Sequence, residues 1–248
     1  MNRFTKGCKK VLNKFLDIIF PENTKCIFCK DEIVNFSEKP YCEKCEATSF
    51  NTGNKCIKCD THIKEGNIIC DHCKSKPRKF EKCLCPLNYS GEVRSSIISF
   101  KDSNAKYLAK SYAKIIFKYL KDKNLDFDYI TFVPSHAKTI KRRGYNPSEI
   151  LAKELSVLYN KPCIETLLKT SPTQQQKNLT FEERTQNLKD SMIVTNSKLI
   201  KGKNLLLVDD VITTCATINY CSRLLSTYAN KIFATAIARN HLETEKMF

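Results

Sequence analysis

Two patterns of side chains in this chain have the types and the spacing to do chemistry. The first runs Leu205-Leu206-Leu207-Val208-Asp209-Asp210-Val211-Ile212-Thr213-Thr214-Cys215-Ala216-Thr217. Its four leading apolar residues predict a buried strand of a parallel sheet. Two adjacent carboxylates close that strand, placed to accept hydrogen bonds from two sugar hydroxyls. A loop rich in hydroxyls and small residues comes next, and then an amphipathic helix. A loop at a helix N-terminus presents unpaired backbone N–H groups and the positive end of the helix dipole. Thr213, Thr214 and Thr217 add hydroxyl donors, and Cys215 and Ala216 complete a cradle for a dianionic phosphate. A sugar 5-phosphate fits this order of parts. Against it stand two plainer readings: the carboxylates cap the helix, or they hold a metal.

The second pattern is four Cys-x-x-Cys pairs, Cys26/Cys29, Cys42/Cys45, Cys56/Cys59 and Cys70/Cys73, out of 14 cysteines in all. Each pair offers two thiolates to one ion, and zinc takes four soft ligands in a tetrahedron, so two pairs make one closed site. Twelve residues separate the first pair from the second and ten separate each later pair from the next. Sequential sites would be Cys26/Cys29/Cys42/Cys45 and Cys56/Cys59/Cys70/Cys73. An interleaved cross-brace is equally compatible with the spacing, and iron or disulfides are the competing chemistries. Four thiolates leave no open position for water, so such sites are structural, and a module of few apolar side chains needs the metal to fold. His62 and His72 are spare imidazoles nearby, expected to face solvent.

The totals narrow the class. At 248 residues, with 42% apolar and 27% charged residues, the chain can bury a self-sufficient core. Lys and Arg outnumber Asp and Glu 42 to 26, a formal +16. That surplus points to an anionic partner: nucleic acid, phosphorylated metabolites or an acidic membrane face. Two zinc tetrathiolates would trim it to roughly +12. The first 20 residues are basic, but their apolar positions are broken by Lys9, Lys10, Lys14 and Asp17, which suits an amphipathic helix ended by Pro21 rather than a signal peptide. No stretch approaches the roughly 20 apolar residues of a membrane span. The chain is therefore expected in the cytoplasm, where paired cysteines bind metal more often than they form disulfides.

Three regions must position these groups: an N-terminal amphipathic helix over 1–21, a cysteine-rich module over 22–82, and a larger domain over 83–242. In the last, strand signals fall at Cys83–Tyr89, Tyr129–Pro134, Cys163–Leu168, Leu205–Asp209 and Lys231–Ile237. Helical patterns lie between, at Ala105–Leu120, Ser148–Tyr159 and Ala216–Tyr228. Alternating strands and helices predict an α/β fold, a mostly parallel sheet flanked by helices, with ligands at the C-terminal strand ends. Lys106, Lys110, Lys114 and Lys118 recur every four residues along one helix, a stripe that is either a solvated face or a track for a phosphate backbone.

The Leu205–Thr217 segment resembles the phosphoribosyl-pyrophosphate (PRPP) signature of type I phosphoribosyltransferases. The wider sequence resembles the ComF family of competence-associated proteins, in which cysteine knuckles precede that domain as a double zinc ribbon. Val133-Pro134-Ser135-His136 with Lys141-Arg142-Arg143-Gly144-Tyr145-Asn146 carries the likeness, as do Gln176-Lys177-Asn178-Leu179 with Arg184 and Asn187, and Tyr89 with Phe100-Lys101. The resemblance implies that Asp209 and Asp210, the catalytic candidates, hold the ribose hydroxyls. It implies that residues 213–217 hold the 5-phosphate and that Pro134, Ser135, His136 and Lys138 meet the pyrophosphate. Lys141, Arg142 and Arg143 would form a mobile basic flap over it, and Mg²⁺ would bridge pyrophosphate and ribose oxygens when PRPP is present.

One departure stands out. The family has Gly where this chain has Cys215, and Gly allows close backbone approach and unusual dihedrals. A thiol at a helix N-terminus also has a lowered pKa, so Cys215 is expected to be oxidisable and to gate phosphate binding. The resemblance implies a role in natural transformation, handling single-stranded DNA beside DNA-uptake machinery proteins. The alternatives are an active phosphoribosyltransferase acting on an unknown nitrogen acceptor, with His136 as a candidate base, or a PRPP-sensing regulator.

Overall fold

The computed structural model describes residues 24–33, 39–171 and 191–241. The helix expected over 1–20 lies outside the described residues, and so does the element of Gln176–Leu179, Arg184 and Asn187. The chain divides into two compact units, Met1–Thr48 and Ser49–Phe248.

In the first unit the Cys26–Cys29 knuckle closes through Cys26 N–H to Asp31 C=O at 2.8 Å and Lys30 N–H to Cys26 C=O at 3.0 Å. Lys30 takes a left-handed φ of 71° to make that turn. Lys25 and Glu32 bridge antiparallel beneath it. Cys42 opens helix α1 (Glu43–Ser49), which carries Cys45. Phe28 and Tyr41 stack with ring centroids 6.0 Å apart and form what apolar centre this ribbon has.

The second unit is built on one parallel sheet. Its strands are β1 (Cys83–Leu84), β2 (Leu87–Asn88), β3 (Tyr129–Phe132), β6 (Leu205–Ile212) and β7 (Ile232–Arg239), ordered β1-β7-β6-β3, with β2 also on β7. Every residue of β7 and the first four of β6 are buried, as expected of parallel strands covered on both faces. Around the sheet lie α3 (Gly91–Asp102), α4 (Leu108–Leu120), α5 (Ala137–Arg143), α6 (Pro147–Tyr159) and α8 (Ala216–Leu225). A second ribbon, with the short helix α2 (Asp71–Ser75), belongs to this unit.

Several elements differ from the sequence expectation. Pairing with β7 carries β6 on to Ile212, past both carboxylates. The strand expected over 163–168 is not a sheet strand: Cys163 makes one parallel bridge to Ile130. The chain then turns away, and β4 (Leu167–Lys169) pairs antiparallel with β5 (Met192–Val194) in a separate ribbon. Asn104, at φ 54°, delays the start of α4 to Leu108, which leaves Lys106 before the helix rather than on it. Helix α3 was not anticipated, although Val93, Ile97 and Phe100 lie on one buried face at helical spacing. Among the described residues no helix is long and apolar enough to cross a membrane.

Candidate phosphate site and metal centres

The eight paired cysteines gather as two sequential groups, Cys26/Cys29/Cys42/Cys45 and Cys56/Cys59/Cys70/Cys73, and in each the four Sγ atoms lie within 4.8 Å of one another. No cross-brace forms. Sγ to Sγ is 3.7 Å for Cys29–Cys42 and again for Cys59–Cys70. A disulfide needs about 2.05 Å. A tetrahedron with metal–sulfur bonds of about 2.3 Å has edges of about 3.8 Å, so the thiols stand where a zinc ion would hold them.

The two knuckles share their wiring. Cys56 N–H donates to Thr61 C=O at 2.8 Å and Asp60 N–H to Cys56 C=O at 2.9 Å, as Cys26 and Lys30 do in the first ribbon. Asp60 takes the same left-handed turn, at φ 61°. Its side chain, however, is buried. One carboxylate oxygen accepts from Cys85 N–H at 2.9 Å and from the Tyr119 hydroxyl at 3.0 Å, and Lys55 lies 3.5 Å from the other.

Strand β6 delivers Asp209 and Asp210 to the C-terminal edge of the sheet. Asp209 Oδ1 accepts from Ser148 Oγ at 3.0 Å and from Asp210 N–H at 2.8 Å. Asp210 Oδ1 accepts from Val211 N–H at 2.6 Å and pairs with Lys101 Nζ at 2.8 Å. Burial, and then the neighbouring charge of Asp210, push Asp209 up to about 7. Burial pulls Lys101 down, but Asp210 and Asp209 outweigh it and leave the ammonium above its ordinary range. Thr213, Thr214 and Thr217 are half-buried at the start of α8, and Thr214 Oγ1 accepts from Ala216 N–H at 3.4 Å.

The facing loop leaves β3 at Val133, whose N–H is still bonded to Val208 C=O at 2.9 Å. Asn146 organises it: its amide donates to Val133 C=O at 3.0 Å, and its oxygen accepts from Ser135 Oγ at 3.1 Å and from Ser148 N–H at 3.2 Å. The same residue therefore caps α6, anchors the Pro134–His136 loop and sets Ser148 against Asp209. His136 caps α5, its Nδ1 accepting from Lys138 N–H at 3.2 Å. Lys141, Arg142 and Arg143 form the last turn of α5. Lys141 and Arg142 are exposed, whereas Arg143 pairs with Asp102 at 3.0 Å. Lys106 lies 4.9 Å from the centroid of the Tyr145 ring.

Cys215 has φ 63° and ψ 12°, the left-handed region a glycine would fill. Its thiol is buried: Arg239 Nη1 donates to Sγ at 3.1 Å, Cys59 and Cys83 lie in the same buried cluster, and together Cys59, Cys83 and Arg239 hold the thiol well below its ordinary range. Reactive thiols are partly exposed. The lowered thiol that was expected is present, but at 3% exposure an oxidant does not reach it from solvent, and Cys215 meets the cradle through its backbone. Sequence reasoning missed Ser148 as a partner of Asp209, Lys101 as the cation on Asp210, and Arg239. Only the Asn146-Pro147 helix start, which sets Ser148 one turn from the sheet edge, was a readable signal for the first.

Comparison with known proteins agrees with this geometry. The family model for the phosphoribosyl transferase domain matches residues 104–248. Competence protein F of Haemophilus influenzae is 26% identical over 210 residues, 82% of this chain and 91% of its own length. The DNA utilization protein YhgH of Escherichia coli strain K12 is 24% identical over 190 residues, 74% of this chain and 83% of its own. Competence protein ComFC of Bacillus subtilis is 21% identical over 218 residues, 68% of this chain and 88% of its own.

Proposed function

The chain belongs to the phosphoribosyl transferase domain family and, within it, to the ComF proteins, and from that premise we propose that it binds PRPP at the end of β6 and serves the handling of single-stranded DNA in natural transformation. One observation carries the PRPP reading: two carboxylates, each held by its own partner, stand directly before a half-buried hydroxyl loop at the start of α8. Thr213, Thr214 and Thr217, with the N–H groups around Ala216, receive the 5-phosphate. Asp209 and Asp210 accept from the ribose hydroxyls. Ser148 and Lys101 fix the orientation of these carboxylates, so little reorganisation accompanies binding. Pro134, Ser135, His136 and Lys138 face the pyrophosphate, with Lys141 and Arg142 as exposed cations at its far side.

Mg²⁺ would arrive with PRPP and neutralise part of its pyrophosphate charge, beside Asp209 and Asp210. Zinc in the two thiolate groups fits a structural role. The DNA reading rests on the likeness to competence and DNA-utilization proteins, on the formal +16, and on Lys110, Lys114 and Lys118 exposed along α4.

Titration with PRPP and Mg²⁺ tests the first part, with pyrophosphate release assayed across a panel of nitrogen bases. Saturable binding without release supports a binding protein, release with any base makes it a transferase, and no binding overturns the PRPP reading. Transformation frequency with the Asp209→Ala, Asp210→Ala double variant tests the second part. A frequency equal to wild type would separate the pocket from DNA handling.

A further inference from the structure

We propose that Cys215 and Arg239 tie the second thiolate centre to the phosphate loop, so that metal held by Cys56, Cys59, Cys70 and Cys73 positions the loop that receives the 5-phosphate. The proposal rests on the PRPP reading above.

It starts from a buried cation. Arg239, the last residue of β7, is 3% exposed, and its Nε has no hydrogen-bond partner among the described residues. Burying a guanidinium without an anion nearby is strongly unfavourable. The groups acting on it are thiols: Cys215, Cys59, Cys83 and Cys85. Of these only Cys59 belongs to a metal group, and a tetrathiolate around a divalent ion carries about −2. Arg239 is bonded to Cys215, and Cys215 shares its buried cluster with Cys56 and Cys59, so the guanidinium sits beside the second thiolate group.

Cys215 stands between the two. Its sulfur accepts from Arg239 at 3.1 Å and is buried in one cluster with Cys56 and Cys59, giving a packed path from guanidinium to Cys215 to the second thiolate group. This accounts for a side chain at a position suited to glycine. A Cβ in the left-handed region is strained, and the contacts of the Cys215 thiol offset that strain only while the thiolate centre is intact. Cys215 also starts α8: its carbonyl accepts from Asn219 N–H at 2.8 Å. Its dihedrals therefore aim the N–H groups on either side, which are the ones offered to phosphate. The ribbon grips α8 a second time, because Lys79 N–H donates to Asn219 Oδ1 at 2.9 Å. Arg239 and Cys215 are positioning residues in this scheme. They act on the ligand through the loop.

The test uses the full chain loaded with Co²⁺, carrying Cys26→Ser and Cys29→Ser so that the cobalt–thiolate absorption reports the second centre. Ribose 5-phosphate is the probe, and its binding is followed separately by calorimetry. Coupling between sites is reciprocal. Saturating ribose 5-phosphate should therefore shift the cobalt bands and reduce equilibrium cobalt loss to competing EDTA, as a cobalt affinity raised about fivefold or more, the lower end of common coupling factors. Cys215→Gly, which the backbone accepts without strain, should abolish both responses, and Arg239→Lys, which keeps the charge but not the fork, should weaken them. Binding of ribose 5-phosphate with unchanged bands and unchanged cobalt loss overturns the coupling and leaves the PRPP reading standing. A full response in Cys215→Gly overturns the path through Cys215. Absence of ribose 5-phosphate and PRPP binding removes the PRPP reading, and this inference falls with it.

Discussion

The two thiolate ribbons share a fold and differ in what surrounds it. Both knuckles close through the same pair of backbone hydrogen bonds, both take a left-handed residue just after the second cysteine, and both send their second pair into a short helix. In the first ribbon that left-handed residue is Lys30, exposed to solvent. In the second it is Asp60, 3% exposed and bonded to Cys85, Tyr119 and Lys55. Cys56 and Cys59 share a core with Leu205, Leu207, Cys215 and Ala234. One metal site thus organises a ribbon of its own, and the other has been absorbed into the sheet that carries the phosphate site. Local wiring makes a ribbon, and the bonds of the Asp60 turn residue join the second ribbon to the core of its own unit.

Loss of a metal ligand should separate the ribbons most sharply. Cys59→Ser should destabilise the unit 49–248 by about 3–5 kcal/mol, because it breaks a buried charged cluster, and should abolish PRPP binding. Cys29→Ser should release metal from the first ribbon and leave PRPP affinity unchanged. Metal content, thermal unfolding and PRPP titration check the pair, and equal losses would erase the distinction.

Next in size are the turn residues themselves. Asp60→Ala leaves Lys55 and two buried donors without their carboxylate and should cost about 2–4 kcal/mol. Lys30→Ala should stay within about 0.5 kcal/mol, as exposed substitutions do. Urea unfolding of both variants decides it.

The carboxylates sharpen the contrast further, since only the second unit carries a perturbed acid of this kind among the described residues. Asp209 lies near 7 in the fold, against about 3.9 for an unfolded chain. The folded state therefore holds that proton more tightly. This contribution to stability is complete below about pH 4 and is lost as pH rises through about 7. Asp209→Asn should remove that downward slope from the ligand-free protein, measured as unfolding free energy at several pH values.

Smallest is Ser148→Ala, which removes one hydrogen bond to Asp209. It should weaken PRPP binding by a factor corresponding to about 1 kcal/mol and lower folding stability by a similar amount, checked by PRPP titration and urea unfolding.

Much of this was readable from residues that act locally. Leu205–Asp210 announced a buried strand ending in carboxylates, and the Cys-x-x-Cys pairs announced thiolate sites, because period, burial and ligand spacing are written in consecutive residues. The pairing of those sites was not legible, since spacing permits both arrangements. Nor was the fate of Cys163–Leu168, whose β-rich composition suits a strand in either sheet and which was decided by a partner at Met192–Val194. Lys101 and Ser148 reach the carboxylates across more than 60 residues of chain, and Arg239 reaches Cys215 from the end of the neighbouring strand, so all three meetings depend on how the sheet is assembled. Cys215 was noticed as a departure from glycine, but only the direction of its thiol, toward Arg239 and Cys59, shows what the departure does.

The claim that the phosphate loop and the second ribbon form one responsive unit is tested most directly by amide hydrogen exchange with and without PRPP. The account predicts slowed exchange over 209–219 and over the Cys56–Cys73 ribbon, with residues 24–48 unchanged. Protection confined to 209–219, or spread equally to the first ribbon, would contradict it.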